Sequence, residues 1–238
     1  MKVKRIAILG ATGHIAKSLI DKLCRKNGYE LVLFCRSSNR LNEFLEVITY
    51  NNMVSAKKFN EFSHGKYDII INCIGIGNPA KLKNAGVIIF RLTEKYDNMI
   101  LDYLEEYPES LYINFSSGAT YGTEFNISVN DSTYYELDVN HIVPSDFYSI
   151  AKLNSEAKHR AMADFNIVDL RVFGYFSRFI DLDAQYFMSE VISCIKNDEV
   201  LVSGEGNMVR DYIHPSDLVS LIEKCIAVQS LNDVFDVY

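Results

Sequence analysis

Proline is scarce in this sequence, with four residues among 238, and glycine occurs only twelve times. So small a supply leaves little room for disordered linkers or low-complexity tracts, and no internal repeat divides the chain. Basic residues are outnumbered by acidic ones, 24 against 31, which gives a net charge of −7. Non-specific binding to nucleic acid needs a basic face to neutralise phosphates. The early run of Lys2, Lys4 and Arg5 is too short for that and reads as a solvated strand end. Nucleic acid is therefore not an expected partner. Long hydrophobic runs are missing as well. None reaches the roughly 20 residues that span a bilayer, and the opening MKVKRIAILG alternates like a strand rather than forming an apolar leader. The expectation is a cytoplasmic protein with no membrane partner. The five cysteines, Cys24, Cys35, Cys73, Cys194 and Cys225, lie apart in apolar surroundings such as LFCR and INCIG. They are expected as buried, reduced thiols, with no metal site.

What is present is 48% hydrophobic residues in a chain long enough for one substantial core. Short β-branched runs alternate with longer stretches of helical period. Strands are expected over 3–9, 30–35, 69–74, 111–115, 167–173 and 199–202. Helices are expected over about 13–26, 41–49, 92–106, 146–164, 184–196 and 215–228, with a loop through 121–143. The run 69–74 is apolar throughout, as a strand covered on both faces should be. Strand and helix in alternation imply an α/β fold, a Rossmann-type doubly wound parallel sheet. Residues 1–172 would form the dinucleotide-binding domain, and 173–238 a small, partial substrate-binding region packed on it. Ligands of such sheets bind at the carboxyl ends of the strands, where the strand order reverses.

The loop Gly10-Ala11-Thr12-Gly13-His14-Ile15-Ala16 stands between the first strand and the first helix. Gly10 permits a tight turn, and Gly13 lets the backbone approach a pyrophosphate. The helix start then offers N–H groups and a positive dipole end to that anion. An ordinary strand–turn–helix also uses glycine, so the placement after the first strand carries the argument. At the tip of the second strand an acidic residue would bind the ribose 2′-hydroxyl of NAD. Here the tip is Phe34-Cys35-Arg36-Ser37. Arg36 could meet a 2′-phosphate instead, which favours NADP over NAD; a plain surface arginine is the alternative. Tyr148 and Lys152, four apart in DFYSIAKLNSE, share one helix face. A nearby ammonium favours the phenolate, which suits a tyrosine to acid–base work on a carbonyl/alcohol pair. Ser116 and Ser117 end the strand LYINF, where a hydroxyl can orient a substrate oxygen or simply cap a turn.

GATGHIA, FSSGATYG, YSIAK and VRDYIHPSDL together resemble the extended short-chain dehydrogenase/reductases. More narrowly they resemble the NAD(P)-dependent epimerase/dehydratase family of nucleotide-sugar enzymes, with FSSGATYG and RDYIH most similar to the UDP-galactose 4-epimerases. The resemblance implies Ser117 as the catalytic hydroxyl, Tyr148 as acid/base, and Lys152 as a ligand of the nicotinamide ribose that tunes Tyr148. Cys73, Ile74 and Gly75 would line the cofactor beside Gly10, Thr12, Gly13, His14, Ile15, Arg36 and Ser37. Arg210 would contact a substrate diphosphate, its alternative being an ion pair with Asp211 or Asp217. Two departures fall on the substrate side: Gly174 stands where the family has Asn, and the Asn usual in the helix before FSSGATYG is not evident in RLTEKYDNM. Gly118-Ala119 after Ser117 replaces the Asp-Glu of the 4,6-dehydratases, so dehydration is not expected. The family runs well beyond the strand that FDVY resembles, so the part capping the sugar is expected to be small or truncated. Pairing into a homodimer through two helices, one carrying Tyr148 and Lys152, is implied by the family alone. The leading expectation is an NADP(H)-dependent reductase of a keto group on a nucleotide-linked sugar. The alternatives are a 4-epimerase with retained NAD(P) and a non-catalytic NAD(P)-binding regulator.

Overall fold

A computed structural model describes residues 3–51, 53–122, 128–184, 186–204, 206, 209–228 and 230–238. Lys2 and residues 123–127 of the expected loop lie outside the described residues. Seven parallel strands make one sheet: β1 Lys4–Leu9, β2 Tyr29–Phe34, β3 Val54–Lys57, β4 Ile69–Asn72, β5 Leu111–Ser117, β6 Ile167–Val172 and β7 Asn232–Val237. Their order is β3-β2-β1-β4-β5-β6-β7, so the chain reverses direction of travel between β1 and β4. The helices are α1 His14–Leu23, α2 Ser38–Glu46, α3 Pro79–Leu82, α4 Ile88–Glu106, α5 Asp146–Ala161, α6 Phe187–Asn197 and α7 Pro215–Ala227. Short 3-10 turns cover Phe59–His64 and Gly118–Tyr121. The last strand comes from the 173–238 stretch and pairs with β6 in register Ile167 to Asn232.

Alternation along the strands builds two cores. Ile6 and Ile8 of β1, with Leu31 and Leu33 of β2, join Leu19, Leu23, Leu218 and Ile222 on one face. Ala7, Leu9, Val32 and Phe34 point to the other, where Ile70, Ile100 and Leu104 meet them. Each of these larger side chains, Ala7 apart, contributes about 1.5–3 kcal/mol when fully buried.

The boundaries differ from expectation for physical reasons. β3 is absent from the sequence reading because VSAK is a partly exposed edge of four residues with no apolar run. The expected strand over 199–202 does not form: these residues are exposed and pair with nothing in the sheet. α4 begins at Ile88 rather than at 92, because the apolar Ile88 and Ile89 already belong to the helix. α2 begins at Ser38, since Ser37 caps it by accepting a hydrogen bond from the Arg40 amide. Of the cysteines, Cys24, Cys35 and Cys225 are buried, whereas Cys73 and Cys194 are only partly so.

Between the sheet and helices α4 and α5 lies a charged array. His159 of α5 is fully buried; its Nδ1 lies 2.9 Å from both carboxylate oxygens of Asp169, and its Nε2 2.8 Å from Asp97 Oδ1. Lys158 sits 2.5 Å from the other Asp97 oxygen, and Arg160 donates to Asp169 at 3.0 Å. Burial alone would lower the His159 pKa, but hydrogen bonds and charges from Asp169 and Asp97 outweigh it and hold it at about 9. Burial likewise opposes the Asp97 charge, yet His159 and Lys158 bring that carboxyl down to about 2.

A raised histidine contributes its full stability below the unfolded value of 6.5 and loses it as pH climbs through the folded one. Urea midpoints should therefore decline between about pH 6.5 and pH 9, where His159 releases its proton. At the acid end the Asp97 contribution should fade from about pH 3.8 to pH 2. In His159→Gln the alkaline decline should vanish and the midpoint at pH 6 should drop. An unchanged alkaline slope in that variant would show that other groups carry it.

Candidate active site

Two glycines shape the turn between β1 and α1. Gly10 has φ +75°, and a Cβ there would lie 3.0 Å from the Cys73 carbonyl oxygen. Its N–H and that of Ala11 donate to the Phe34 carbonyl at 2.9 and 3.0 Å, which ties the loop to the tip of β2. A Cβ on Gly13 would meet the Gly10 carbonyl at 3.2 Å. Gly13 begins α1 with no side-chain cap and no acidic residue in the first turn. A backbone too close for side chains, leading into an uncapped helix start with no acid, fits the diphosphate of a dinucleotide. Thr12 and Ile15 are half-buried beside it. The His14 ring is held elsewhere, with Nε2 2.7 Å from Ser177 Oγ and Tyr175 edge-on at 5.0 Å. Burial, aided by Lys17, lowers its pKa to about 4, so it is neutral at pH 7.

At the end of β2 Arg36 is exposed, and the Ser37 hydroxyl oxygen is engaged in capping α2 at 3.4 Å. Across the reversal point, Cys73, Ile74 and Gly75 follow β4. The Cys73 amide donates to Leu9 at 3.0 Å, and the Ile74 amide to the Asn72 side chain at 3.0 Å.

Ser117 closes β5, with its Oγ accepting a hydrogen bond from the Ala119 amide at 3.2 Å. Tyr148 and Lys152 lie on α5, Tyr148 half-buried and Lys152 only 5% exposed. The Lys152 ammonium donates to the Phe115 carbonyl at 2.6 Å and sits 5.9 Å from the centre of the Tyr148 ring. A Cβ added to Gly75 would be 4.0 Å from that same nitrogen. One buried cation thus connects the loop after β4, the end of β5 and the tyrosine. Arg210 lies on the exposed segment before Ile213, which bridges to Tyr175 beyond β6.

Sequence reasoning missed a second ionic cluster beneath Ser117. Ser116 donates to Glu156, and Arg171 binds both Glu156 oxygens, the shortest contact being 2.6 Å. Arg171 also donates to the Tyr121 hydroxyl at 2.7 Å, which donates to Asp236 at 2.8 Å. The signal was available: Glu156 follows Lys152 by four residues, so a third polar side chain occupies the helix face already assigned to Tyr148 and Lys152.

The sequence matches the NAD dependent epimerase/dehydratase family over residues 6–237. The chain belongs to that family. No curated protein matches it significantly. Among solved structures, UDP-N-acetylglucosamine 4-epimerase from Methanobrevibacter ruminantium, in complex with UDP-N-acetylmuramic acid, is similar with a TM-score of 0.82 at 19% identity, over 100% of this chain and 77% of that one. A mutant of UDP-glucuronic acid 4-epimerase from Bacillus cereus, bound to a fluorinated UDP-sugar and NAD, gives 0.81 at 16% identity, over 98% and 77%. UDP-glucose 4-epimerase from Thermotoga maritima, with UDP-glucose, gives 0.77 at 19% identity, over 98% and 76%. These likenesses establish the shared fold across the whole of this chain.

Within the family, two departures now have steric causes. A Cβ on Gly118 would lie 2.6 Å from the Phe173 ring, so the acidic side chain of a dehydratase would have to displace that ring. A Cβ on Gly174 would lie 2.2 Å from the Asp211 carbonyl oxygen, so the segment carrying Arg210 leaves no room for a side chain there. Gly174→Asn should push that segment outward. We expect faster proteolysis between 204 and 213 and a melting temperature several degrees lower, an effect of about 1–3 kcal/mol for overpacking. Wild-type melting and cleavage would contradict the close approach.

Proposed function

We propose that this protein catalyses reversible oxidation and reduction at a sugar carbon of a nucleotide-linked sugar, as an NAD-linked 4-epimerase. The observation that carries the reading is the position of Lys152, buried between the Cys73–Gly75 loop, the Phe115 carbonyl and the Tyr148 ring. The fold shared with three 4-epimerases supports it.

Gly10, Thr12, Gly13 and Ile15 would hold the diphosphate, with Cys73, Ile74 and Gly75 along the nicotinamide side. Bound dinucleotide supplies a hydride acceptor that becomes the donor within one turnover. Tyr148 would take the proton from the sugar hydroxyl as its carbon is oxidised, and give it back to the same oxygen once the keto sugar has turned its other face toward the dinucleotide. Lys152 has three donors and spends one on Phe115, leaving others for the ribose and for the charge on Tyr148. Ser117 accepts from the Ala119 amide, so its own proton remains available to a substrate oxygen beside Tyr148. Arg210 would contact the nucleotide.

A second reading, the NADPH-consuming reductase, is favoured by Arg36 and by the lack of a carboxylate at the β2 tip. It uses the same Ser117, Tyr148 and Lys152. Mass spectrometry of the dinucleotide released on denaturation separates the two. Retained NAD supports the epimerase, whereas an empty site that prefers NADPH to NADH supports the reductase. Tyr148→Phe tests both readings against a regulator without chemistry. Turnover should fall at least 100-fold, the loss of a general acid–base group, while cofactor affinity stays within about threefold. Undiminished turnover would overturn both.

A further inference from the structure

The charged array around His159 does not end at the carboxylates. Six of its side chains, Asn72, Asp97, Tyr112, Asn114, His159 and Asp169, are each at least 95% buried. They span β4, β5, β6, α4 and α5. The Tyr112 hydroxyl donates to Asp97 Oδ1 at 3.0 Å and accepts from the Asn72 side-chain amide at 3.1 Å. Asn72 in turn receives the Ile74 backbone N–H at 3.0 Å. The chain of contacts therefore leaves the buried region at the loop Cys73–Gly75.

The direction of each bond follows from the one before it. An ionised carboxylate can only accept, so Tyr112 must spend its single proton on Asp97. The other acceptor within reach, Asn114 Oδ1 at 3.4 Å, is longer and uncharged. With its proton committed, the Tyr112 oxygen can only accept, which turns the Asn72 NH2 toward it. The Asn72 carbonyl oxygen is then left facing the loop, where it fixes the Ile74 amide. An aliphatic core would satisfy packing here without burying six polar groups, so satisfaction of the core alone does not explain the arrangement.

We propose that Asp97, Tyr112 and Asn72 form a positioning relay that sets the Cys73–Gly75 loop for the dinucleotide. The proposal rests on the reading above, in which this loop lines the cofactor. The three are positioning residues, and none touches the reacting atoms.

A double-mutant cycle on NADH affinity, with melting temperature read in parallel, tests it. Tyr112→Phe removes one oxygen and should raise the NADH dissociation constant about tenfold, and Asn72→Ala should do the same. In the Asn72→Ala background, Tyr112→Phe should add nothing to the dissociation constant, because the link it breaks is already gone. A structural role would lower the melting temperature in both backgrounds and leave affinity alone. Asp97→Asn provides a second route should Tyr112→Phe fold poorly; it too should weaken NADH binding only while Asn72 is present. Wild-type affinity in Tyr112→Phe and Asp97→Asn, or a full tenfold effect of either in the Asn72→Ala background, would overturn the relay alone. A wild-type protein that binds neither NADH nor NADPH would remove the cofactor reading and the relay together.

Discussion

Lys152, Glu156 and His159 follow one another at about one-turn intervals along α5, and all three turn their charge toward the sheet. Lys152 reaches the Phe115 carbonyl, Glu156 binds Ser116 and Arg171, and His159 lies between Asp97 and Asp169. An apolar helix face can slide along a sheet at modest cost, because hydrophobic contact has no direction. A face whose charges are each held by a buried partner, a carbonyl for Lys152 and opposite charges for Glu156 and His159, cannot. Separating one partner leaves a buried charge uncompensated, a loss of about 3–5 kcal/mol. The register of α5 is therefore set at three points, and Tyr148, one turn before Lys152, is carried into place by them. Burying these pairs is not the most stable use of the space, and its return is a fixed geometry.

Glycines complete the geometry from the opposite direction. Gly10, Gly118 and Gly174 follow β1, β5 and β6, at the carboxyl ends where ligands of such sheets bind. Each marks a place where the chain approaches too closely for any side chain: a carbonyl at Gly10, a ring at Gly118, a carbonyl at Gly174. Backbone and the Phe173 ring thus crowd these strand ends, and the side chains proposed to act there arrive from α5 and from the end of β5. Backbone at this proximity leaves few ways to substitute residues, which is why the departures from the family pattern at Gly118 and Gly174 come with neighbouring parts that fill the space.

The legible parts of the molecule were those with a local signature. Apolar runs bounded by turns gave the central strands, and their alternation with helices gave the parallel sheet. The placement of Tyr148 and Lys152 on one helix and of Ser117 at a strand end could be read because spacing or strand position is itself the signal. β3 could not, since an edge strand of four partly exposed residues has no distinctive pattern. Val200 and Val202 misled in the opposite sense: β-branched residues suggested a strand, yet both are more than 80% exposed with no sheet partner. β-propensity measures fit to a neighbouring strand, and nothing local says whether a neighbour exists. His159 illustrates the deepest limit. Its partners stand 62 and 10 residues away in sequence, so its charge state is a property of the assembled fold.

Charge raises a last question, because a chain of net charge −7 is proposed to bind two anionic molecules. Long-range attraction cannot assist their approach. Capture must then be local, and the structure keeps acidic groups out of the first turn of α1. The donors there are backbone amides, whose partial charge does not titrate, and whose influence is confined to about the first turn of the helix. Lys152, a buried cation nearby, is engaged by a neutral carbonyl rather than a carboxylate, so that contact does not offset its charge. Affinity built this way depends on the positions of a few amides rather than on the summed field. Added salt should then weaken ligand binding little, since no strong attraction exists to be screened. The placement of the loops that carry those amides becomes the main determinant of binding, and in this protein those loops are fixed by Phe34 on one side and Asn72 on the other.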